Sequence, residues 1–288
     1  MKHLACLMIV AAFGLPAAAQ IPVKIYGQEL IDEAVAAHPE LLVAMMHVKP
    51  PMASDNIIIA SNIGRLGKLA DEDDMRVIDT GKSNLELAAG GTRFEVELVL
   101  QDVTGATIGA LGLVFPFKEG ADKAALEKRA GQIRDAMRRH ISTVGDLMLA
   151  YPSDPAVTTK THAAKLVEQL LARHRDLLSI SVQVKVPGRS ASSVLASSFG
   201  RLGTPASEAD LAVLKTGEPI VRLDATAARC EAVAVLQDKA GSAIGVLNAG
   251  FAAQGSGARG ECLRAGMSLR DELAQQITSL EKLVALDP

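Results

Sequence analysis

Tryptophan is absent from this chain, and only two tyrosines and six phenylalanines stand among its 288 residues. Recognition by stacking, of bases, sugars or methylated ammonium groups, needs aromatic faces and is disfavoured. A basic surplus is missing as well: 30 Lys and Arg oppose 33 Asp and Glu, a net charge of −3. That balance carries no electrostatic footprint for nucleic acid. There is no CxxCH haem-attachment site and no GxSxG nucleophile elbow, and no Ser-His-Asp set can be assembled. Nothing demands an enzyme or a cofactor. No low-complexity tract occurs, and no segment approaches the roughly 20 apolar residues of a membrane-spanning helix.

The N-terminus reads as a secretory signal over residues 1–19. Lys2 and His3 form a polar start, Leu4 to Leu15 an apolar run, and Ala17-Ala18-Ala19 the small residues of a cleavage site near Ala19. The expectation is a periplasmic or secreted protein that does not span a membrane. Beyond the signal only Cys230 and Cys262 remain. In an oxidising compartment they are a disulfide candidate. Bonded, they would contribute about 3–4 kcal/mol; the alternative is two buried free thiols.

What the sequence does contain is the same text twice. Ile57 to Gly81 returns as Ser193 to Gly217, with Gly64-Arg65-Leu66-Gly67 recurring as Gly200-Arg201-Leu202-Gly203 and Thr80-Gly81 as Thr216-Gly217. The offset is constant, since 200 − 64 = 136 and 217 − 81 = 136. It also relates His38 to His174, Leu100-Gln101-Asp102 to Leu236-Gln237-Asp238, and Ile108-Gly109 to Ile244-Gly245. So long a period implies duplicated domains rather than a solenoid, whose units run about 20–50 residues. The expected division is a first domain over 20–150, a linker over 151–160 marked by Pro152 and Pro155, and a second domain over 161–288. The counterparts of Cys230 and Cys262 are Phe94 and Leu126, so both cysteines sit at core positions.

Each copy predicts one order of elements. Tyr26 to Met46 carries an apolar stripe at helical spacing, and Ile57 to Ala60 is a β-branched strand. Asp71 to Met75 opens a short helix, its carboxylates complementing the amide dipole. Phe94 to Gln101 alternates with period two, turns at Asp102 to Gly105 and returns over Ala106 to Phe117. Lys123 to Met148, and Cys262 to Val284 in the second copy, read as amphipathic helices. The fold class is α+β, two tandem domains, each an antiparallel sheet with a long N-terminal helix and a C-terminal amphipathic helix.

Three motifs carry a family resemblance: Asn62-Ile63-Gly64-Arg65-Leu66-Gly67-Lys68, Thr80-Gly81-Lys82, and Leu100-Gln101-Asp102 to Ile108-Gly109. In order and spacing the chain resembles the extracytoplasmic PAS-like sensor domains, also called single Cache domains. Family members are usually tethered by membrane helices to a kinase or chemotaxis module, and neither is read here. The resemblance implies a sensing or binding role toward a small, anionic metabolite, a carboxylate or amino acid, with a membrane receptor or another periplasmic protein as partner. It places the ligand beside the Gly-Arg loop. Arg65 and Arg201 lead the candidates, since guanidinium grips carboxylate bidentately. Gly64, Gly67, Gly200 and Gly203 would let backbone approach, and Lys68, Arg93 and Arg229 are secondary candidates. The competing reading makes Gly-Arg-Leu-Gly a structural turn, its arginine pairing with Glu72 or Asp74 and their copies. A scaffold without a small ligand is the second functional reading.

No metal site is expected. The residues nearest to one are His38 and His174 on the first helix of each copy, and Met45, Met46, His47 and Met52, a soft cluster suited to copper or haem ligation. Asp71 to Asp74 lacks the alternating spacing of a calcium loop and reads as a solvated helix start.

Overall fold

The computed structural model describes residues 23–224 and 228–287. The predicted signal peptide lies outside them. No helix among the described residues is long and apolar enough to cross a membrane.

The chain is α+β, with two antiparallel five-stranded sheets. The first half runs α1 (Tyr26–Ala37), β1 (Val43–Val48), β2 (Ile57–Ser61), α2 (Glu72–Thr80), β3 (Asn84–Ala88), β4 (Arg93–Gln101), β5 (Thr107–Pro116), α3 (Lys123–Met137) and α4 (Val144–Leu147). The second runs α5 (His162–Arg173), β6 (Leu177–Val184), β7 (Ser193–Ser197), α6 (Glu208–Thr216), β8 (Ile220–Leu223), β9 (Arg229–Gln237), β10 (Ala243–Ala252), α7 (Ala258–Ala274) and α8 (Leu280–Val284). Strand order is β2-β1-β5-β4-β3 in one sheet and β7-β6-β10-β9-β8 in the other. This is consistent with two PAS-like units.

Alternation along the strands sorts each sheet into two faces. In the first half, Met46, Phe94, Val96, Leu111 and Leu113 join Leu30 and Ile31 of α1 and Ile133 of α3 in one core. Residues of opposite parity face α2, where Val77 packs on Val99 and Ala110. The second half repeats this, with Leu166 and Leu170 of α5 and Leu269 of α7 on one side and Val213 of α6 against Val233, Val235 and Val246 on the other. Cys230 of β9 and Cys262 of α7 form a disulfide.

Three predicted helices are shorter than expected. α1 ends at Ala37, and Val43–Val48 is instead a strand near the middle of the sheet. Pro39 disfavours helical backbone at His38. Val43–Val48 is buried at every position, so no wet face breaks the apolar run, and such a run is not distinguished from a helix by periodicity. The long C-terminal helices also break: α3 stops at Met137 and α7 at Ala274, with α4 and α8 following as separate turns. Ile141 and Ile277 stay buried although the helices have ended. The edge strands β3 and β8 went unpredicted; they are only five and four residues long.

The repeated Ile-Gly has a packing cause. A Cβ on Gly109 would stand 2.0 Å from the carbonyl oxygen of His47, and one on Gly245 would stand 2.2 Å from that of Gln183. Both contacts are backbone on a neighbouring central strand, so no rotamer relieves them. Gly245→Ala should destabilise the fold by at least about 2 kcal/mol, read as a fall in the thermal unfolding midpoint; an unchanged midpoint would show that the strands part more easily than this packing implies.

Candidate functional site

The two Gly-Arg loops meet different fates. In the first half Gly64 to Lys68 is exposed, Gly64 and Gly67 have nothing within 4 Å of a would-be Cβ, and Arg65 sits at φ 67° without an ion pair among the described residues. The second-half loop is packed against the first half. A Cβ on Gly200 would lie 2.5 Å from the Tyr26 ring. Ser153 N–H donates to the carbonyl of Leu202 at 2.8 Å, and Arg201 Nε donates to Asp146 at 3.0 Å. Neither arginine pairs with the helix acids proposed as its alternative partners. The same asymmetry separates Arg93, which is exposed, from Arg229, which donates to Asp102 of the first half at 2.9 Å. Arg139 completes the junction by donating to the carbonyls of Leu171 and His174 at the end of α5.

The soft cluster does not converge. Strand parity sends Met46 into the α1/α3 core and Met45 to the opposite face with Val43, while Met52 is 98% exposed in a turn. His38 and His174 cap α1 and α5 and contact Arg129 at 3.1 Å and Glu272 at 2.7 Å. His47 goes elsewhere: it is 4% exposed on the α2 face, its Nδ1 2.7 Å from Oδ1 of Asp74, itself 3% exposed.

Around that pair the sequence assembles a polar cluster beneath α2. Asp71 and Asp74 close a reciprocal capping box, each side chain accepting from the other's backbone N–H, which turns Asp74 inward. The reading of this stretch as a solvated helix start fails at Asp74 for that reason. Strand parity brings up Glu95 and Glu97 of β4, and Asn84 of β3 donates to Glu97 at 3.1 Å. Burial drives Glu97 up to about 7, Asp74, Glu95 and Asp71 adding to the rise against the Asn84 bond. Burial, then Glu86, raises Glu95. Burial works against Asp74 too, but contact with His47 and the Asp71 N–H outweigh it and hold the carboxyl below its ordinary value.

The second half carries the corresponding cluster with its charge rebuilt. Asp210 keeps the place of Asp74 and Glu231 that of Glu95, but Gln183 replaces His47, Val233 replaces Glu97, and Arg222 replaces Glu86. Arg222 donates to Asp210 at 2.5 Å and to Glu231 at 2.9 Å, while Gln183 donates to Asp210 at 3.0 Å. The cross-strand pair is thus Arg222 with Glu231 in one sheet and Glu86 with Glu95 in the other, attraction against repulsion. Among the described residues four buried side-chain atoms lack a hydrogen bond: His47 Nδ1, Asp74 Oδ1, Gln183 Oε1 and Asn248 Oδ1. All four belong to these two clusters.

Concave space collects where the halves meet. A cavity of about 220 Å³ is lined by Leu178, Arg222, Arg229, Glu231 and Phe251. It opens through Val103, Ser142 and Arg229 into a groove of about 820 Å³. Sequence reasoning named Arg229 alone of these. Arg222 was legible as the one position where the copies exchange a carboxylate for a guanidinium.

No family model matches the chain, and no curated protein matches it. Solved structures similar to it include the Agobacterium tumefaciens repressor BlcR, at 10% identity over 39% of this chain and 65% of that one, TM-score 0.29. The chain thus spans just under two thirds of that repressor's length. Others are the second GAF domain of DevS from Mycobacterium smegmatis, at 14% identity, 39% and 91% coverage and TM-score 0.27, and an RNA-binding light-oxygen-voltage receptor, at 11%, 81% and 99%, and 0.21. Overlaps this slight carry no inference, so the architecture rests on the chain's own strand order.

Folding raises the affinity of Glu97 for its proton. The stability it contributes is present in full below the ordinary carboxylate pKa and is lost as pH rises through about 7. Asp71 before α2, Asp74 within it, Asn84 and Glu86 of β3, Glu95 of β4 and His47 of β1 are the polar groups gathered in this cluster. In buffer containing EDTA, Glu97→Gln should leave the unfolding midpoint unchanged at pH 5 and raise it by roughly 3 °C or more at pH 8; equal effects at both pH values would refute the assignment.

Proposed function

We propose that this protein is an extracytoplasmic small-molecule-binding module of two PAS-like units related by duplication, and that its ligand occupies the cleft between the halves. The cleft carries this reading: a cavity and groove of about 220 and 820 Å³ at a domain junction, with a guanidinium at the neck. Arg229 supplies that guanidinium, and Arg222 and Glu231 stand on the cavity wall. Charges of both signs suit an amino acid or a related carboxylate, held by its carboxylate at Arg229. Export is supported by the signal-like residues 1–19 and by the disulfide. Transmission to a membrane receptor or another exported protein completes the reading.

Thermal shift and calorimetry against a panel of amino acids and organic acids test it. One chemical class should raise the unfolding midpoint, and Arg229→Ala should weaken its binding at least tenfold. Arg65→Ala should leave binding intact. A flat response across the panel removes the reading.

One observation favours protein recognition as a second role. The exposed first-half loop displays Ile63, Leu66 at 61% exposure and Leu69 beside Arg65, whereas its counterpart is already docked on Tyr26 and Asp146. A partner offering an aromatic ring beside a carboxylate would fit it in the same way. Any protein that co-purifies through this face should be lost in Arg65→Glu and Leu66→Asp while small-molecule binding persists; retention in both variants counts against the role.

A further inference from the structure

Asp71, Asp74 and Glu97 bring side-chain ligand atoms within 4.8 Å of one another. That span matches oxygens on one ion, since a divalent cation holds each at about 2.0–2.6 Å. Each carboxylate is steadied by one oxygen: Asp71 Oδ1 accepts from the N–H of Asp73 and Asp74, Asp74 Oδ2 from that of Asp71, and Glu97 Oε2 from Asn84. Supporting bonds of this kind orient metal ligands.

Acidic residues crowd together for many reasons, and two further observations point to a ligand here. His47 Nδ1 and Asp74 Oδ1, on side chains more than nine-tenths buried, make no hydrogen bond although they stand 2.7 Å apart. The two are in ion-pair contact but make no aligned hydrogen bond, which leaves Asp74 Oδ1 open to a cation. The second half supplies the other observation. There the carboxylate corresponding to Asp74 is neutralised by the Arg222 guanidinium, and two of the three first-half donors are gone, Asp71 to Ser207 and Glu97 to Val233, while the neighbouring His47 becomes Gln183. Where the arginine is present the donors are lost. Where the donors are kept, Glu86 stands in the arginine's place and no Lys or Arg pairs with Asp74, Glu95 or Glu97 among the described residues. Lys68 reaches the exposed Asp71 alone, at 4.0 Å; buried carboxylates without a cationic side chain beside them are costly, and an ion removes the cost.

We propose that the first half holds a divalent metal ion beneath α2, with Asp71, Asp74 and Glu97 as its ligands, and that Arg222 is the built-in cation that replaced it in the second half. Three carboxylates suit Mn²⁺ ahead of Zn²⁺. Asp71 is exposed and gives the ion its entry. The site lies on the α2 face and stands whether or not the inter-half cleft takes a metabolite.

The test uses the full chain, stripped with EDTA, dialysed, and titrated with MnCl₂ and with ZnCl₂ alone by calorimetry, with Mn²⁺ uptake also followed by electron paramagnetic resonance. One equivalent should bind and the unfolding midpoint should rise. Glu86→Arg, which copies the second half's own pair, should be at least as stable without metal and bind at least tenfold more weakly. Glu97→Gln should fold and lose binding to the same degree. The absence of saturable binding in the native chain, or binding unchanged in both Glu86→Arg and Glu97→Gln, overturns the proposal.

Discussion

A carboxylate buried at the same place in both halves, Asp74 and its counterpart Asp210, is the constraint around which each unit is arranged. Each is the third residue of a short helix and closes a capping box with the residue before that helix. The bond that starts the helix therefore also carries a negative charge under it, onto the sheet. Taking a carboxylate out of water is tolerable only with compensation. The second half compensates from within, through Arg222 and Gln183. The first half surrounds its carboxylate with more acid and a single histidine, and its chemistry follows from that difference.

The junction between halves shows a second division of labour. Arg201, Gly200 and Arg229 of the second half all close onto the first, against Asp146, Tyr26 and Asp102. Among the described residues their counterparts Arg65, Gly64 and Arg93 make no such contact with the other half. One set of repeated residues thus builds the interface and its cleft, while the other leaves a loop exposed to solvent. Asp146 is buried while Arg201 is half-exposed, so the pair orients the halves more than it stabilises them. The clamp of Arg139 on the carbonyls of Leu171 and His174 satisfies helix-end acceptors that the helix itself leaves open.

Much of the architecture was legible because repetition filters residues. Ile108-Gly109 and Ile244-Gly245 survived in both copies because a side chain there would strike a neighbouring backbone. The α+β class and the β4–β5 pair followed from alternation. The errors have separate causes. Val43–Val48 is buried at every position and lacks the one-sided pattern that marks a strand, while β3 alternates over only five residues and leaves Leu85 and Leu87 exposed at an edge. The residues of the cluster beneath α2 were visible one by one, His47 as part of a methionine run and Asp71 to Asp74 as a helix start. What the repetition hid was that difference between copies, here Glu86 against Arg222, is as informative as identity.

By itself the sequence determined the two-unit plan, the class of each unit, the short capped helix and the core positions of both cysteines, because these depend on local spacing and on the comparison of one copy with the other. Tertiary structure alone decided which arginines are engaged, that His47 meets Asp74 rather than Met45, and that β4 lays its acids under α2. Those outcomes depend on strand parity, on register and on how one unit docks against the next, and residues far apart in the chain hold no local record of any of them.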